Sequence, residues 1–386
     1  MRRAPLLAPL AGLLVIAAAR AADFAVLSPA TWDAYVPQGK EVDAIYGDYV
    51  LRNEHLVAVV AQPLASRNAN MTVRGVGGSL IDLTERGAQN DQLSCYYPAA
   101  GRYALVNSQQ VRVAVDGRPV ALAPDAPPAT GKQVVLEIPA EPVAGRPHLT
   151  LRYTLADGAR ELLVETVYSN PTDQPVADDL SDSIRADRTF QFGFDAAASC
   201  FWASDEWFRQ AYGFVVPGYE VKGTGQRGTL LQLVKAGGTN KLTLAPGASQ
   251  TIARRVFPAS SLLGVRGHAG RLAGVEVVPT TIRVVDPQPV RQAQVAVYRD
   301  DQLYAAGRTD AEGKVEFPLP LGKARIEVTA LDGRDETIEL DAGLLGQRNM
   351  TIGLSFPSYV VGQITDAAGR PIPAKVSFTG RDGTKD

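Results

Sequence analysis

Apolar side chains recur at every second residue through long stretches of this chain, and a turn signal interrupts them roughly every eight to twelve residues. A period of two turns one face of each segment toward a core and the other away from it. The pattern therefore demands sheets that are covered on at least one side. Between Asp23 and Phe257 it predicts strands over Tyr49 to Leu51, Leu56 to Val60, Thr72 to Val73, Leu80 to Leu83, Val111 to Val115 and Val134 to Ile138. It continues over Leu149 to Leu155, Glu161 to Tyr168, Phe190 to Phe194, Leu230 to Val234 and Lys241 to Leu244. Asp116-Gly117, Asp157-Gly158, Asn170-Pro171, Gly237-Gly238 and Pro246-Gly247 supply the turn chemistry between them. A large antiparallel sandwich follows for residues 22–257. One short helix is expected, Asp205 to Tyr212, with acidic residues in its first turn and Gly213 after its end.

Alternation lapses over "PASSLLGVRGHAG", so residues 258–278 read as a linker. It resumes over Ile282 to Val285, Val295 to Tyr298, Leu303 to Gly307, Val315 to Leu319, Ala324 to Ala330 and Thr337 to Leu340, with Asp310-Ala-Glu-Gly313 and Asp332-Gly333 at hairpin corners. Two packed sheets are the simplest way to bury six such faces. The stretch "GQITDAAGRPIPAKVSF", Gly362 to Phe378, repeats the opening of that unit as a hairpin about the Asp366 to Gly369 turn. A lone hairpin is marginal in water. Its apolar face asks for more polypeptide than residues 357–386 supply, which reads as the truncated start of a second copy.

"GRTDAEGKVEFPLPLGKARIEV" and "GQITDAAGRPIPAKVSF" share a strand, a T-D-x-x-G turn and a second strand. In this they resemble the carboxypeptidase regulatory-like family of prealbumin-type sandwiches. The resemblance implies an Ig- or prealbumin-like β-sandwich over 279–356, non-catalytic in that family. "YGDYVLRNEHLVAVVAQPL", "NANMTVRGVGGSLIDLT" and "NDQLSCYYPAAGRY" resemble the N-terminal portion of large exported bacterial proteins that end in a PHP-type metallohydrolase domain. That likeness implies a downstream catalytic domain of the same protein as a partner. The overall expectation is an all-β chain in two sandwiches with the start of a third.

Met1-Arg2-Arg3, an apolar run from Leu6 to Ala19 and the small-residue site Ala19-Arg20-Ala21 read as a secretory signal peptide over residues 1–21. The mature chain is then expected in the periplasm, at the cell surface or outside the cell. Pro9 breaks the run short of the twenty or so apolar residues needed to cross a bilayer, and no later segment has that length. Cleavage removes three arginines and leaves 36 basic against 41 acidic side chains, a balance that disfavours nucleic acid as a partner.

Three histidines, His55, His148 and His268, are too few and too far apart for a multi-metal hydrolase site, so no metal or cofactor is expected. There is no G-x-S-x-G elbow and no P-loop. "ADDLSDSIRADR" gathers Asp178, Asp179, Asp182 and Asp187 with Arg185 and Arg188. Such a cluster is suited to calcium, to an acid/base pair, or, as the favoured reading, to a solvated loop that neutralises itself. Beside it lie ten aromatic residues from Phe190 to Tyr219. They make either a core or a sugar-stacking platform. The candidate ligand-binding set is Trp202, Trp207, Tyr212, Asp182 and Asp187, with a carbohydrate as the ligand. Cys95 and Cys200 are open to either a disulfide or two buried thiols. The leading functional expectation is a non-catalytic, exported accessory region that spaces or presents substrate to a metal-dependent hydrolase. The alternative is a carbohydrate-binding or adhesion module.

Overall fold

A computed structural model describes residues 21–224, 230–235, 237–343, 348–356, 361–377 and 379. The expected signal peptide, apart from Ala21, and Phe378 lie outside the described residues. Two nine-stranded sheets face each other in the first unit. The first runs in the order Tyr219–Thr224, Leu230–Lys235, Ser181–Ala186, Leu93–Tyr97, Leu80–Glu85, Leu56–Val60, Tyr49–Arg52, Ala22–Val26, Ala129–Gly131. The second runs Gln191–Asp195, Cys200–Asp205, Gln210–Val215, Ser249–Ala259, Leu162–Ser169, His148–Ala156, Gln133–Pro139, Arg112–Val115, Arg118–Pro119. The protein is an all-β sandwich protein, as the alternation requires. Its main core lies between these sheets, with Phe24, Leu51, Tyr96, Tyr153, Tyr168 and Phe214 among its fully enclosed side chains.

Strands covered on one face match the sequence. His148–Ala156 alternates buried and half-buried residues along all nine positions, and its partner Leu162–Ser169 does the same. Among strands covered on both faces, Leu56–Val60 and Leu80–Glu85 match the sequence and Gln210–Val215 does not. Every residue of Gln210–Val215 is buried, because Tyr212 and Phe214 enter the main core while Ala211 and Val215 join a second cluster on the sheet's outer side. The helix expected over Asp205 to Tyr212 is therefore a strand end, a four-residue turn and a new strand. Asp205 does not start a helix; its Oδ1 accepts the Phe208 N–H at 3.2 Å and so holds the turn. The strand expected at Thr72 to Val73 is also absent. Asn70 Oδ1 accepts from both of those backbone N–H groups, at 3.0 and 3.1 Å, which folds the segment into a turn.

The second sandwich packs a three-stranded sheet, Lys314–Pro320, Val277–Val285 and Arg348–Gly353, against a four-stranded one, Gln302–Arg308, Gln294–Arg299, Lys323–Thr329 and Asp335–Asp341. Each of the six expected strands falls on or within one of these, to within a residue at the Ala324 to Ala330 end. Arg348–Gly353 adds a seventh, parallel to Val277–Val285. Farther on, the hairpin expected about Asp366 is reduced to its turn and a single bridge between Thr365 and Pro371, with Ile372 N donating to Ile364 O at 3.1 Å and no strand on either side among the described residues. Val361, Ile364, Ile372 and Val376 around it are exposed.

The segment read as a linker is structured. Ser261 caps a helix, Leu262–Leu272, by accepting the Gly264 N–H at 3.2 Å. Leu263 enters the core of the second sandwich, while Val265 and Ala269 pack on the outer face of the first. Gly267 permits this double contact, since a Cβ there would stand 2.0 Å from Pro318 O. Opposed faces buried in two different cores leave a helix without the single apolar stripe that marks one in sequence.

Candidate functional site

The turn after Cys200–Asp205 reaches across to the second sandwich. Glu206 Oε1 accepts from Gln294 Nε2 at 2.8 Å and pairs with Arg308 Nε at 3.0 Å. Gln292 Nε2 donates to Trp207 O at 3.3 Å, and Arg209 Nε donates to Arg308 O at 3.0 Å. Arg209 adopts a φ of 54°, which closes the turn. With its backbone held on both sides, the turn presents Trp207 and Phe208, 52% and 43% exposed. The Arg308 guanidinium lies 5.4 Å from the centre of the Trp207 ring, and Lys40 Nζ lies 4.4 Å from that of Phe208.

These two rings form part of the wall of a cleft of about 1370 Å³ between the sandwiches. The first sandwich and the helix contribute Glu85, Arg160, Arg209, His268 and Arg271; the second contributes Asp310, Glu312, Lys314 and Glu316. His268 is tied down on both ring nitrogens. Arg271 can only donate, so the 3.0 Å contact makes Nδ1 the acceptor and leaves the proton on Nε2, which meets Glu161 Oε2 at 3.0 Å. Burial pulls the His268 pKa below its ordinary value, consistent with that neutral tautomer. Its Glu161 partner is held below the usual carboxylate range, mainly by that hydrogen bond. Glu85 goes the other way. Burial raises its pKa although Arg160 and Arg209 oppose the shift.

The sequence candidates scatter. Trp207 faces the cleft. Trp202 lies across its sheet, where the absent side chain of Gly193 makes room: a Cβ there would stand 2.1 Å from the indole. Tyr212 is fully buried, stacked on Phe190 at 5.7 Å; it donates to Asp91 Oδ1 at 3.2 Å and accepts the Gln92 N–H at 3.0 Å. Asp182 is enclosed between the sheets against Arg254, at 2.9 and 3.0 Å. Neither Tyr212 nor Asp182 can touch a ligand from solvent. Asp187 stays near the surface and pairs with Lys40, the same lysine that lies over Phe208.

The loop expected over "ADDLSDSIRADR" is instead largely two strands, Val176–Asp179 and Ser181–Ala186. Its carboxylates point to separate partners: Asp178 accepts from Tyr103 Oη at 2.8 Å, Asp179 meets Lys241 at 2.7 Å, and Asp182 meets Arg254. They do not converge as a chelating set, and among the described residues no group of three or more His, Cys, Asp or Glu is placed to hold a metal ion. No helix among them is long and apolar enough to cross a membrane. Cys95 and Cys200 are both free. The disulfide is ruled out because they occupy different clusters, one on the outer side of the first sheet and one under the helix. Burial pushes both thiols up, that of Cys200 to about 12, so neither is a ready nucleophile.

Arg160, Arg271 and Glu85 escaped the sequence reading because each belongs to a different segment and only the cleft unites them. The acidic and basic residues of "DEWFR" suit the first turn of a helix as well as they suit the Asp205-capped turn that forms.

No protein-family model matches the sequence, and no curated protein does. Among solved structures, a TPR-domain containing protein from Parabacteroides distasonis aligns with 57% of this chain and 48% of its own, at 14% identity and a TM-score of 0.36. A polysaccharide lyase aligns over 71% of this chain and 45% of its own, at 13% identity and a TM-score of 0.31. A galactose mutarotase-like protein from Lactobacillus casei aligns over 55% and 99%, at 9% identity and a TM-score of 0.32. The chain thus spans about half the length of the first two.

Proposed function

We propose that this chain is an exported, non-catalytic accessory region that binds a carbohydrate in the cleft between its two sandwiches. The observation that carries this reading is the pair Trp207 and Phe208, exposed on the cleft wall by a turn whose backbone is anchored to the facing domain. An aromatic face offers flat apolar area to a sugar ring, while neighbouring carboxylates and guanidinium groups orient its hydroxyls. Anchoring lowers the ordering cost of binding, since the rings need no rearrangement to meet a ligand.

The spacer role finds support in the helix Leu262–Leu272. A segment buried in both sandwiches holds them at a set angle, as a rigid presenting arm requires. The resemblance of the second sandwich to carboxypeptidase regulatory-like domains, and a metallohydrolase domain as partner, belong to the same proposal. Isothermal calorimetry against a panel of neutral and charged oligosaccharides tests the binding reading. Trp207→Ala is expected to weaken the best ligand by about tenfold or more, the loss of one stacked ring of roughly 1.5 kcal/mol. Wild-type affinity in that variant would move the site elsewhere.

A further inference from the structure

We infer that the carbohydrate is anionic, its acidic groups meeting a cluster of arginines on the first sandwich's side of the cleft: Arg160, Arg209 and Arg271. This rests on the cleft being the carbohydrate site. Arg266 sits on Asp195 at 2.9 Å, Arg308 on Glu206 at 3.0 Å and Arg334 on Asp286 at 2.6 Å, while half-buried Arg146 and Arg299 bond only backbone carbonyls among the described residues. The three cleft arginines have no carboxylate within ion-pair distance among the described residues. Arg209 spends one donor on Arg308 O, Arg271 spends one on His268 Nδ1, and Arg160 makes no hydrogen bond there. Each guanidinium therefore keeps N–H donors for a ligand. A fork of this kind matches a carboxylate or a sulfate ester with two parallel hydrogen bonds.

Glu85, the acid in their midst, forms no ion pair with any of them among the described residues. Glu85 feels both Arg160 and Arg209, yet burial holds its carboxyl above the usual range, so it yields its proton less readily than an exposed glutamate. Across the cleft the lining is acidic, with Glu312 and Glu316 exposed beside Lys314. That asymmetry orients the ligand. Acidic substituents face the arginines, hydroxyls face the second sandwich, and one sugar face lies on Trp207.

Short oligogalacturonates and their methyl esters share one sugar backbone and differ at the carboxyl group, charged in one and capped by a methyl in the other, which makes them the deciding probes. Calorimetry at low salt is expected to show the free acid binding at least about tenfold more tightly than the ester. That gap should narrow as added salt screens the cleft. Arg160→Gln should weaken the acid and leave any binding of the ester unchanged; Arg271→Gln, read in the same way, guards against one variant misfolding. Tighter binding of a sulfated oligosaccharide than of its unsulfated parent, with oligogalacturonate inert, would support the anion requirement and assign it to sulfate. Equal affinity for acid and ester, or neutral sugars binding as well as charged ones, overturns the anionic reading and leaves the carbohydrate reading standing. No binding by any sugar overturns both.

Discussion

Two buried acidic centres in the first sandwich solve the same problem in opposite ways. Asp182 lies between the sheets with both oxygens engaged: Oδ1 accepts from Ala99 N and Arg254 Nη2, and Oδ2 accepts from Tyr96 Oη and Arg254 Nε. Arg254 spends Nη1 on Thr166 Oγ1 and Ile252 O. Asp82 and Asp91 lie against each other beneath the segment 39–43, and no cation answers them. Their Oδ1 atoms accept backbone N–H groups of Asp43 and Leu83, both at 2.8 Å, but their Oδ2 atoms and that of Asp43 have no partner. Burial pushes both acids well above the usual carboxylate range, helped by the charges of Asp43 and Asp48 at Asp82 and by that of Asp82 at Asp91, while burial and Glu41 push Asp43 to about 6. A buried charge can thus be kept by a counter-ion or removed by a proton, and the surroundings decide which.

The strongest way to break that contrast is to orphan the paired charge. Arg254→Met strands Asp182 in the core and is expected to cost about 3–5 kcal/mol in urea denaturation, with the Asp182→Asn, Arg254→Met double variant recovering part of it. A loss below about 1 kcal/mol would mean the pair does not need its counter-ion. The second test uses pH. Acids whose folded pKa is raised bind more protons folded than unfolded, so their stabilising contribution is lost as pH rises above the ordinary carboxylate value near 4. Wild-type stability should fall across that window by up to about 1.4 kcal/mol per pH unit for each proton released. Asp82→Asn should flatten the fall. His268, with its lowered pKa, contributes a slope of opposite sign up to its unfolded value of 6.5, so the difference between wild type and Asp82→Asn is the quantity to read. Identical slopes in the two proteins would refute the protonated pair. The smallest effect sharpens the comparison from a third centre. His268→Gln removes a neutral partner from Glu161, which keeps Arg255 at 3.0 Å, so a loss of only about 1 kcal/mol is expected by the same denaturation. A cost matching that of Arg254→Met would show that neutral and charged partners are not distinguished here.

Coverage explains part of what is legible, since Leu56–Val60 and Leu80–Glu85 are buried on both faces and still read as strands. Strands with one face on a core, such as Gln133–Pro139 and His148–Ala156, announced themselves by alternation. Gln210–Val215 and Leu93–Tyr97 did not, because an apolar layer on each side removes the polar half of the pattern. The same blindness affected the candidate site. Of the candidate rings Trp207 faces solvent, Trp202 lies half-buried on its sheet, and Tyr212, five residues on from Trp207, is carried into the core by strand pairing. Nothing local separates Trp207 from Tyr212; the turn capped by Asp205 does. The helix was missed for a related reason, since its buried positions serve two different cores.

What the amino-acid sequence determined alone is the material: short strands, their turns, two sandwich-forming regions and a scarcity of histidine and cysteine. Those features depend on neighbours one to four residues apart, where backbone sterics and side-chain period act directly. Only the tertiary structure decided which carboxylate meets Arg254, 72 residues from Asp182, and which arginines share the cleft with Trp207. Pairing of that kind depends on how two sheets stack and how a helix wedges between sandwiches, and those packings arise from the summed burial of many faces at once.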